Sequence, residues 1–249
     1  MNRRVKLYND TITLHFADNA RNRYTIEETG KSPVGVTTVL GGLAKPGLMT
    51  WPMTEAIAHL KVNIGDFEGA AKAYLKKSDK GKDTGTAVHA VIEALLNGDD
   101  YETTPDTEKA VTAFENWFEK HNPKALAVEQ IVYSKKHDYA GTADGIFELD
   151  GEVVLFDLKT NNASQTAPLG VYPEHFLQLG AYSLAHLEEN PLEEIDDLMI
   201  VRVGKDGVLN TLRSSELGLT IKQCQEAFIA ALNIYKFMTP LGKQIRERK

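Results

Sequence analysis

The fold of this chain is decided by the stretch Val153-Val154-Leu155-Phe156-Asp157-Leu158-Lys159-Thr160. Its apolar, β-branched and aromatic residues are typical of a buried strand. Because side chains of a strand alternate between two faces, Asp157 and Lys159 emerge on the same face near the end of this strand. A strand that is buried on both faces should not present charges without partners, so the stretch predicts a polar site.

A partner strand is expected immediately upstream, from Ala140 to Leu149, with Asp150-Gly151 as the connecting turn. Asp-Gly is a frequent two-residue hairpin turn because both positions adopt a positive φ. Asp144 lies on this partner strand, so pairing of the two strands brings its carboxylate beside Asp157 and Lys159. Two acids and a lysine are therefore expected to converge at one point of a sheet.

Two carboxylates and a lysine suit a divalent cation and phosphodiester hydrolysis. Magnesium takes oxygen ligands, usually one or two carboxylates together with a substrate phosphate. A bound metal lowers the pKa of its water, and a neighbouring lysine can orient or help to deprotonate that water. We therefore interpret Asp144, Asp157 and Lys159 as the centre of a hydrolase that uses Mg²⁺ or Mn²⁺. Taken alone, Asp-Leu-Lys is a weak motif, because such a pair is usually a surface ion pair.

An upstream helix offers a nitrogen ligand. His89 and Glu93 are four residues apart on a helix that we expect to begin at Asp83 or Thr84 and to end at Asn97-Gly98. His89 is a candidate metal ligand through a ring nitrogen, and Glu93 is a candidate to orient it or to bind through water. A pair on the helix surface, or a core histidine with satisfied hydrogen bonds, is the alternative.

A downstream helix, expected over residues 173–188, places Gln178 and Tyr182 on one face. There they can hydrogen-bond Lys159, its backbone or a phosphate oxygen. Glu129, on a strand expected over residues 125–133, is a candidate to orient the metal ligands without binding the metal itself. The alternatives are a partly polar helix flank for the first two residues and an exposed edge-strand carboxylate for Glu129.

Composition and length indicate an ordinary soluble globular protein, since 42% of the 249 residues are hydrophobic and 25% are charged. We expect one domain over residues 1–249, with 1–82 as an N-terminal elaboration and 83–249 as the core. Alternation of polar and apolar side chains over residues 3–27 predicts a small β-meander. No apolar run reaches membrane-spanning length and no secretory signal is evident, so we expect a cytoplasmic protein without membrane contact.

The cysteine count and the charge exclude other kinds of site. Cys224 is the only cysteine, so no intramolecular disulfide, cysteine-built zinc site or iron-sulfur cluster is expected. The net charge of -7 does not indicate nucleic-acid binding, which usually shows as a basic balance. A local basic patch is the alternative, and its strongest candidates are Lys72, Lys76, Lys77, Lys80 and Lys82.

In their order and spacing, these motifs resemble the RecB-type branch of the PD-(D/E)xK nuclease superfamily. The resemblance is carried by His89, Gly141-Thr142-Ala143-Asp144, Asp157-Leu158-Lys159 and Gln178-x-x-x-Tyr182. More weakly, Val36 to Leu40 followed by Trp51 is similar to the N-terminal region of phage and mitochondrial exonucleases of this branch.

The resemblance implies an α/β fold with a restriction-endonuclease-like core, in which helices flank a mixed central β-sheet. The N-terminal meander and a helical extension would precede that core. It also implies Mg²⁺ or Mn²⁺ held by His89, Asp144 and Asp157, with Lys159 acting on the water. Gln178 and Tyr182 would be supporting groups in a DNA channel.

By the same resemblance, the expected activity is that of a DNA exonuclease acting at DNA ends, with single strands as the candidate preference. A phage origin would be compatible with it, and no protein partner is indicated. A structure-selective or double-strand endonuclease of the same fold is one alternative. A catalytically silent DNA-binding protein is the alternative from another class, although an intact set of two acids and a lysine argues against it.

Overall fold

The protein is described by a computed structural model that covers residues 2–17, 23–43, 51–161 and 168–248. Within these ranges the strands are β1 (Asn2–Leu7), β2 (Ile12–Ala17), β3 (Tyr24–Ile26), β4 (Val34–Gly35), β5 (Lys124–Ser134), β6 (Tyr139–Leu149), β7 (Glu152–Lys159), β8 (Asp197–Val203) and β9 (Leu209–Arg213). The helices are α1 (Val36–Gly41), α2 (Trp51–Val62), α3 (Phe67–Asn97), α4 (Glu108–His121), α5 (Pro173–Glu189) and α6 (Ile221–Glu247), with a 3₁₀ helix at Ser215–Leu217.

A mixed sheet forms the centre of the fold. Strands β5, β6, β7, β8 and β9 lie side by side in that order, and β4 pairs with the first residues of β6. The β7–β8 and β4–β6 pairs are parallel, whereas the other pairs are antiparallel. Helices α1, α5 and α6 pack on one face, and α3 and α4 pack on the other. The fold class expected from the sequence, a mixed sheet flanked by helices after an antiparallel N-terminal sheet, is confirmed.

Strand β7 is apolar on both faces because helices cover both faces. Leu155 packs with α1, α5 and α6, whereas Phe156 and Leu158 pack with α3 and α4. The expected hairpin is also present, since β6 pairs with β7 in antiparallel register from Gly145↔Phe156 to Leu149↔Glu152. Asp150 and Gly151 both have a positive φ, of 55° and 84°, as a two-residue hairpin turn requires.

The N-terminal meander packs against β5 and β6. Strands β1, β2 and β3 form a separate antiparallel sheet, and its apolar side chains contact Ile131, Tyr133 and Ala140. The first turn uses Tyr8, Asn9 and Asp10, which all have a positive φ. The second expected turn, at residues 18–19, lies outside the described residues. The meander therefore covers the part of the central sheet formed by β5 and β6, and its first strand lies close enough to contact β5.

Two expected helix boundaries are wrong. A break was expected before Asp83 or Thr84, but α3 runs without interruption from Phe67 to Asn97 across the boundary at residues 82–83. Gly81 costs a helix about 1 kcal/mol and does not stop it, because packing on the sheet and the Asp66 cap stabilise the whole length. Asp66 accepts a hydrogen bond from the Gly69 N–H at 2.9 Å. The left-handed Gly98 ends the helix as expected.

The last helix is longer than expected. Helix α6 begins after the Thr220 cap, as the sequence indicates, but it continues to Glu247 instead of ending at Phe237. Pro240 lies inside this helix, where a proline removes one intrahelical hydrogen bond and does not by itself prevent the next turns. Among the described residues, no helix combines the length and apolar character needed to cross a bilayer.

Helices α5 and α6 cross at Gly180, and this crossing is a test of the packing. A Cβ at Gly180 would lie 2.4 Å from the Cys224 carbonyl carbon and 2.7 Å from the Gln225 nitrogen, which are backbone atoms that cannot move aside. We expect Gly180→Ala to lower the free energy of unfolding by about 1–3 kcal/mol, as overpacking does. The measurement is urea denaturation followed by circular dichroism.

Gly242→Ala is the matched control, because this glycine lies on α6 with no atom within 4 Å of its Cβ position. Alanine there should leave stability unchanged or raise it by up to about 1 kcal/mol through helix propensity. Equal effects of the two substitutions would contradict the close approach of α5 and α6.

Candidate functional site

The expected site residues meet in an open cleft of about 980 Å³, where the end of β7 separates from the middle of β6. Helices α3 and α5 form two of its walls, and residues of the N-terminal sheet form a third. Trp51 also lines this cleft and makes an edge-on contact with Tyr74. The cleft is therefore the place to look for bound substrate.

Asp144 lies where the pairing of β6 and β7 stops. The regular pairs end at Gly145↔Phe156, and immediately beyond them Asp144 Oδ2 accepts a hydrogen bond of 2.5 Å from the Leu158 N–H. The side chain thus replaces a backbone acceptor as the two strands separate. This bond holds the carboxylate between the strands at the floor of the cleft.

Asp157 and Lys159 share a network with α5. Lys159 Nζ forms an ion pair with Asp157 Oδ2 and also lies 3.2 Å from Gln178 Oε1. Gln178 Nε2 donates hydrogen bonds to Asp157 Oδ1 at 3.0 Å and to the Tyr182 hydroxyl oxygen at 2.8 Å. The structure therefore brings together four of the expected site residues, with the Gln178 amide bridging the acid, the lysine and the tyrosine.

Gly141 lets α5 approach closely enough for that network. A Cβ at this position would lie 2.4 Å from Tyr182 Cε1 and 3.2 Å from a Val36 methyl carbon. Tyr182 is 2% exposed, and its ring lies directly against the backbone of β6 at Gly141. Burial and the nearby Asp157 raise the pKa of Tyr182 well above its ordinary value, so its hydroxyl stays protonated.

A second group of side chains comes from α3, β5 and β6. His89, Glu129 and Asp144 each offer one ligand atom, and these atoms lie within 4.8 Å of one another. His89 Nδ1 is 3.7 Å from Asp144 Oδ1. A cavity of about 10 Å³, close to the space that one water or ion needs, lies against these residues and Glu93. The donor set is one that a divalent cation could use.

Glu129 is closer to this centre than the sequence indicated. It sits in β5 between the pairs Val128↔Gly145 and Gln130↔Ala143, which places it across from Asp144. Its side chain is 20% exposed, so the alternative of an open edge-strand carboxylate does not hold. In the sequence, the feature that indicated this position was an acidic residue among apolar neighbours on an expected strand. Asp157 stands apart from the group, because Lys159 and Gln178 contact its oxygens.

Burial raises the pKa of three carboxyl groups in the cleft. For Glu129 the nearby Asp144 adds to this effect, and for Asp144 the Lys159 ammonium opposes it. The pKa of Asp157 rises to about 6, against the attraction of Lys159. Burial lowers the pKa of His89, which favours the neutral ring that can bind a metal. The surplus of carboxylates and the neutral imidazole fit a bound divalent cation.

The expected basic patch is described only in part. Lys72 is exposed and pairs with Glu68 at 2.5 Å, and Lys76 is exposed as well. The side chains of Lys77, Lys80 and Lys82 lie outside the described residues. Among the described residues, the cations that line the cleft are Arg3, Arg23, Lys159 and Lys205. None of these four belongs to the lysine-rich segment of α3.

No protein-family model matches this chain, and no curated protein matches it. A solved structure of the alkaline exonuclease LHK-Exo from Laribacter hongkongensis is similar at 13% identity, with 64% of this chain and 86% of that chain covered and a TM-score of 0.30. LHK-Exo in complex with dAMP matches at 12% identity over 86% and 94%, with a TM-score of 0.30. The protein SSO0001 matches at 13% identity over 72% of each chain, with a TM-score of 0.30. Likenesses this weak carry no conclusion about activity.

The raised pKa of Asp144 predicts a stability effect in metal-free protein. A folded-state pKa above the ordinary 3.8 means that stability is fully present below that value and is lost as the pH rises through the raised pKa. Asp144→Asn keeps an acceptor for the Leu158 N–H without the charge. We expect this variant to be more stable than the parent by on the order of 1 kcal/mol at pH 7.5 in EDTA, with the difference closing near pH 4.

Urea denaturation at the two pH values measures this difference. Asp150→Asn is the matched control, because Asp150 occupies the exposed turn at the other end of the same hairpin and asparagine tolerates its positive φ. If the parent protein is as stable as Asp144→Asn at pH 7.5, the ionised Asp144 carboxylate does not destabilise the folded state and the prediction is wrong.

Proposed function

We propose that this chain is a metal-dependent deoxyribonuclease, formed as one domain over residues 1–249, that hydrolyses phosphodiester bonds. The observation that carries the proposal is the Asp157, Lys159 and Gln178 network beside Asp144 at the floor of an open cleft. The same side chains carry the resemblance to the PD-(D/E)xK nucleases. An acid, a lysine and an amide in direct contact are suited to positioning water against a phosphate.

His89, Asp144 and Asp157 are the residues proposed to hold Mg²⁺ or Mn²⁺, and Asp157 would exchange one of its contacts with Lys159 or Gln178 for the ion. When bound, the cation would supply an acidic water and would polarise the phosphate. Their buried carboxylates and neutral imidazole match the oxygen and nitrogen donors that such ions accept. An iron-sulfur cluster has no ligand set in the sequence, because Cys224 is its only cysteine and is buried.

Lys159 is the residue proposed to act on the attacking water. Its ammonium is held by Asp157 and Gln178, so it is oriented before substrate arrives. The positive charge can also stabilise the negative charge that develops on the phosphate oxygens. Tyr182 contacts Gln178 alone in this network and is therefore a positioning residue.

DNA is the proposed substrate despite the net charge of -7, because four cations line the cleft beside four acids and a bound divalent cation would shift that balance towards the phosphate backbone. Trp51 also lines it, is partly exposed, and offers a ring face on which an unpaired base can stack. This combination favours single-stranded DNA, and the resemblance favours action at DNA ends. We therefore propose an exonuclease as the specific form of the activity.

The test uses end-labelled linear single-stranded DNA and its covalently closed circular counterpart, each with Mg²⁺ or Mn²⁺. We expect loss of the linear DNA alone. Cleavage of the circle would replace the exonuclease by an endonuclease of the same fold. If neither DNA is cut with either metal, the catalytically silent DNA-binding protein becomes the correct account.

The site assignment predicts which substitutions remove activity. Asp157→Asn and Lys159→Ala should each lower the rate at least about 100-fold while the protein stays folded, because each removes a group that contacts water or phosphate. Asp150→Asn, in the exposed turn that precedes β7, and Lys124→Ala, at the exposed start of β5, are matched controls. The measurement is nuclease rate with circular dichroism of each variant, and parental rates for Asp157→Asn or Lys159→Ala would refute the assignment.

A further inference from the structure

We propose that Glu129 supplies a ligand oxygen to the metal and that Arg3 of the N-terminal sheet is the positioning residue that sets this carboxylate against His89 and Asp144. The inference rests on the proposed function, since it concerns the same metal. It adds a role for the N-terminal sheet, which would otherwise only cover the edge of the core. The ligand atoms of His89, Glu129 and Asp144 already lie within 4.8 Å of one another.

A single guanidinium holds both the backbone and the side chain of Glu129. Arg3 Nη1 donates to the Glu129 carbonyl oxygen at 3.1 Å, and Nη2 donates to Glu129 Oε2 at 3.0 Å. The guanidinium itself lies 5.2 Å from the centre of the Phe16 ring, on the neighbouring strand of the meander. Because the planar guanidinium binds the backbone carbonyl and Oε2 of the same residue, it fixes the position of that carboxylate oxygen relative to its own backbone.

The backbone of Glu129 needs such a contact. Its φ is 48°, in the left-handed region that non-glycine residues avoid, although β5 stays paired with β6 on both sides of it. Backbone in this region persists only where surrounding contacts hold it. Here the unusual conformation carries the Glu129 carbonyl to Arg3 and leaves the side chain in the wall of the 10 Å³ cavity. The strained residue is therefore directed at the candidate metal position.

A purely electrostatic role for Arg3 would have the opposite effect on metal binding. Removing a positive charge near a cation site strengthens cation binding, because one repulsive interaction disappears. Removing a residue that positions a ligand weakens cation binding, by about 10- to 100-fold for groups that orient metal ligands. The sign of the change in affinity therefore distinguishes the two roles.

The experiment measures Mn²⁺ binding to metal-stripped protein at pH 7.5 by the electron paramagnetic resonance signal of free Mn²⁺. We expect Arg3→Met and Glu129→Gln each to weaken binding by at least 10-fold. Arg3→Lys keeps the charge but not the two parallel bonds, so it should also weaken binding. Arg4→Met is the control, since Arg4 is the next residue of β1 and pairs on the exposed side with Glu27.

The double variant Arg3→Met with Glu129→Gln should bind Mn²⁺ no more weakly than Glu129→Gln alone, because Arg3 acts through Glu129. Thermal unfolding followed by circular dichroism reports whether each variant is folded. If Arg3→Met does not fold, Arg3→Lys and Glu129→Gln decide the matter in its place.

Unchanged or tighter binding in Arg3→Met, or unchanged binding in Glu129→Gln, would overturn the inference. If Asp144→Asn or Asp157→Asn loses Mn²⁺ while Glu129→Gln keeps it, the proposed nuclease centre stands and only the role of Glu129 falls. If the parent protein binds no Mn²⁺, the proposed function and this inference fail together.

Discussion

The burial of Asp157 and the partial burial of Glu129 and Asp144 on adjacent strands, where β6 and β7 separate, is the constraint on which the rest of the structure depends. Glu129, Asp144 and Asp157 lose hydration there, and each has a raised pKa. Compensation comes from fixed partners, such as the Leu158 N–H for Asp144 and the Lys159 ammonium for Asp157. Such an arrangement lowers the stability of the metal-free protein, and a bound cation would offset this loss.

The layers of the fold explain why side chains from several elements can meet at one point. Helix α3 packs on one face of the sheet and α5 on the other, and both reach past the place where β6 and β7 separate. His89 therefore enters the cleft from one layer, and Gln178 and Tyr182 enter it from the other. The N-terminal sheet adds Arg3 from a third direction. No single element could present this set, so the geometry of the cleft depends on the whole packing.

Local patterns predicted the hairpin and its site residues because the signals lie close together in sequence. The apolar run of β7, the Asp150-Gly151 turn and the i, i+4 spacing of Gln178 and Tyr182 each act over a few residues. The Arg3 contact could not be predicted, since it joins residues 126 positions apart on two different sheets. The left-handed backbone of Glu129 likewise depends on tertiary contacts. The predicted break in α3 is wrong because the local sequence, rich in glycine and lysine, does not show the tertiary packing that keeps the helix continuous.

The central claim is that a divalent cation binds among the carboxylates of β5, β6 and β7 at the place where β6 and β7 separate. The most direct measurement is anomalous X-ray diffraction from a crystal of the protein soaked in Mn²⁺. The account predicts a manganese peak at ligand distance from Asp144, with His89 and a further carboxylate completing the protein ligands. A well-ordered crystal whose manganese peaks lie only at exposed acids elsewhere, with the Asp144 carboxylate unmoved, would contradict it.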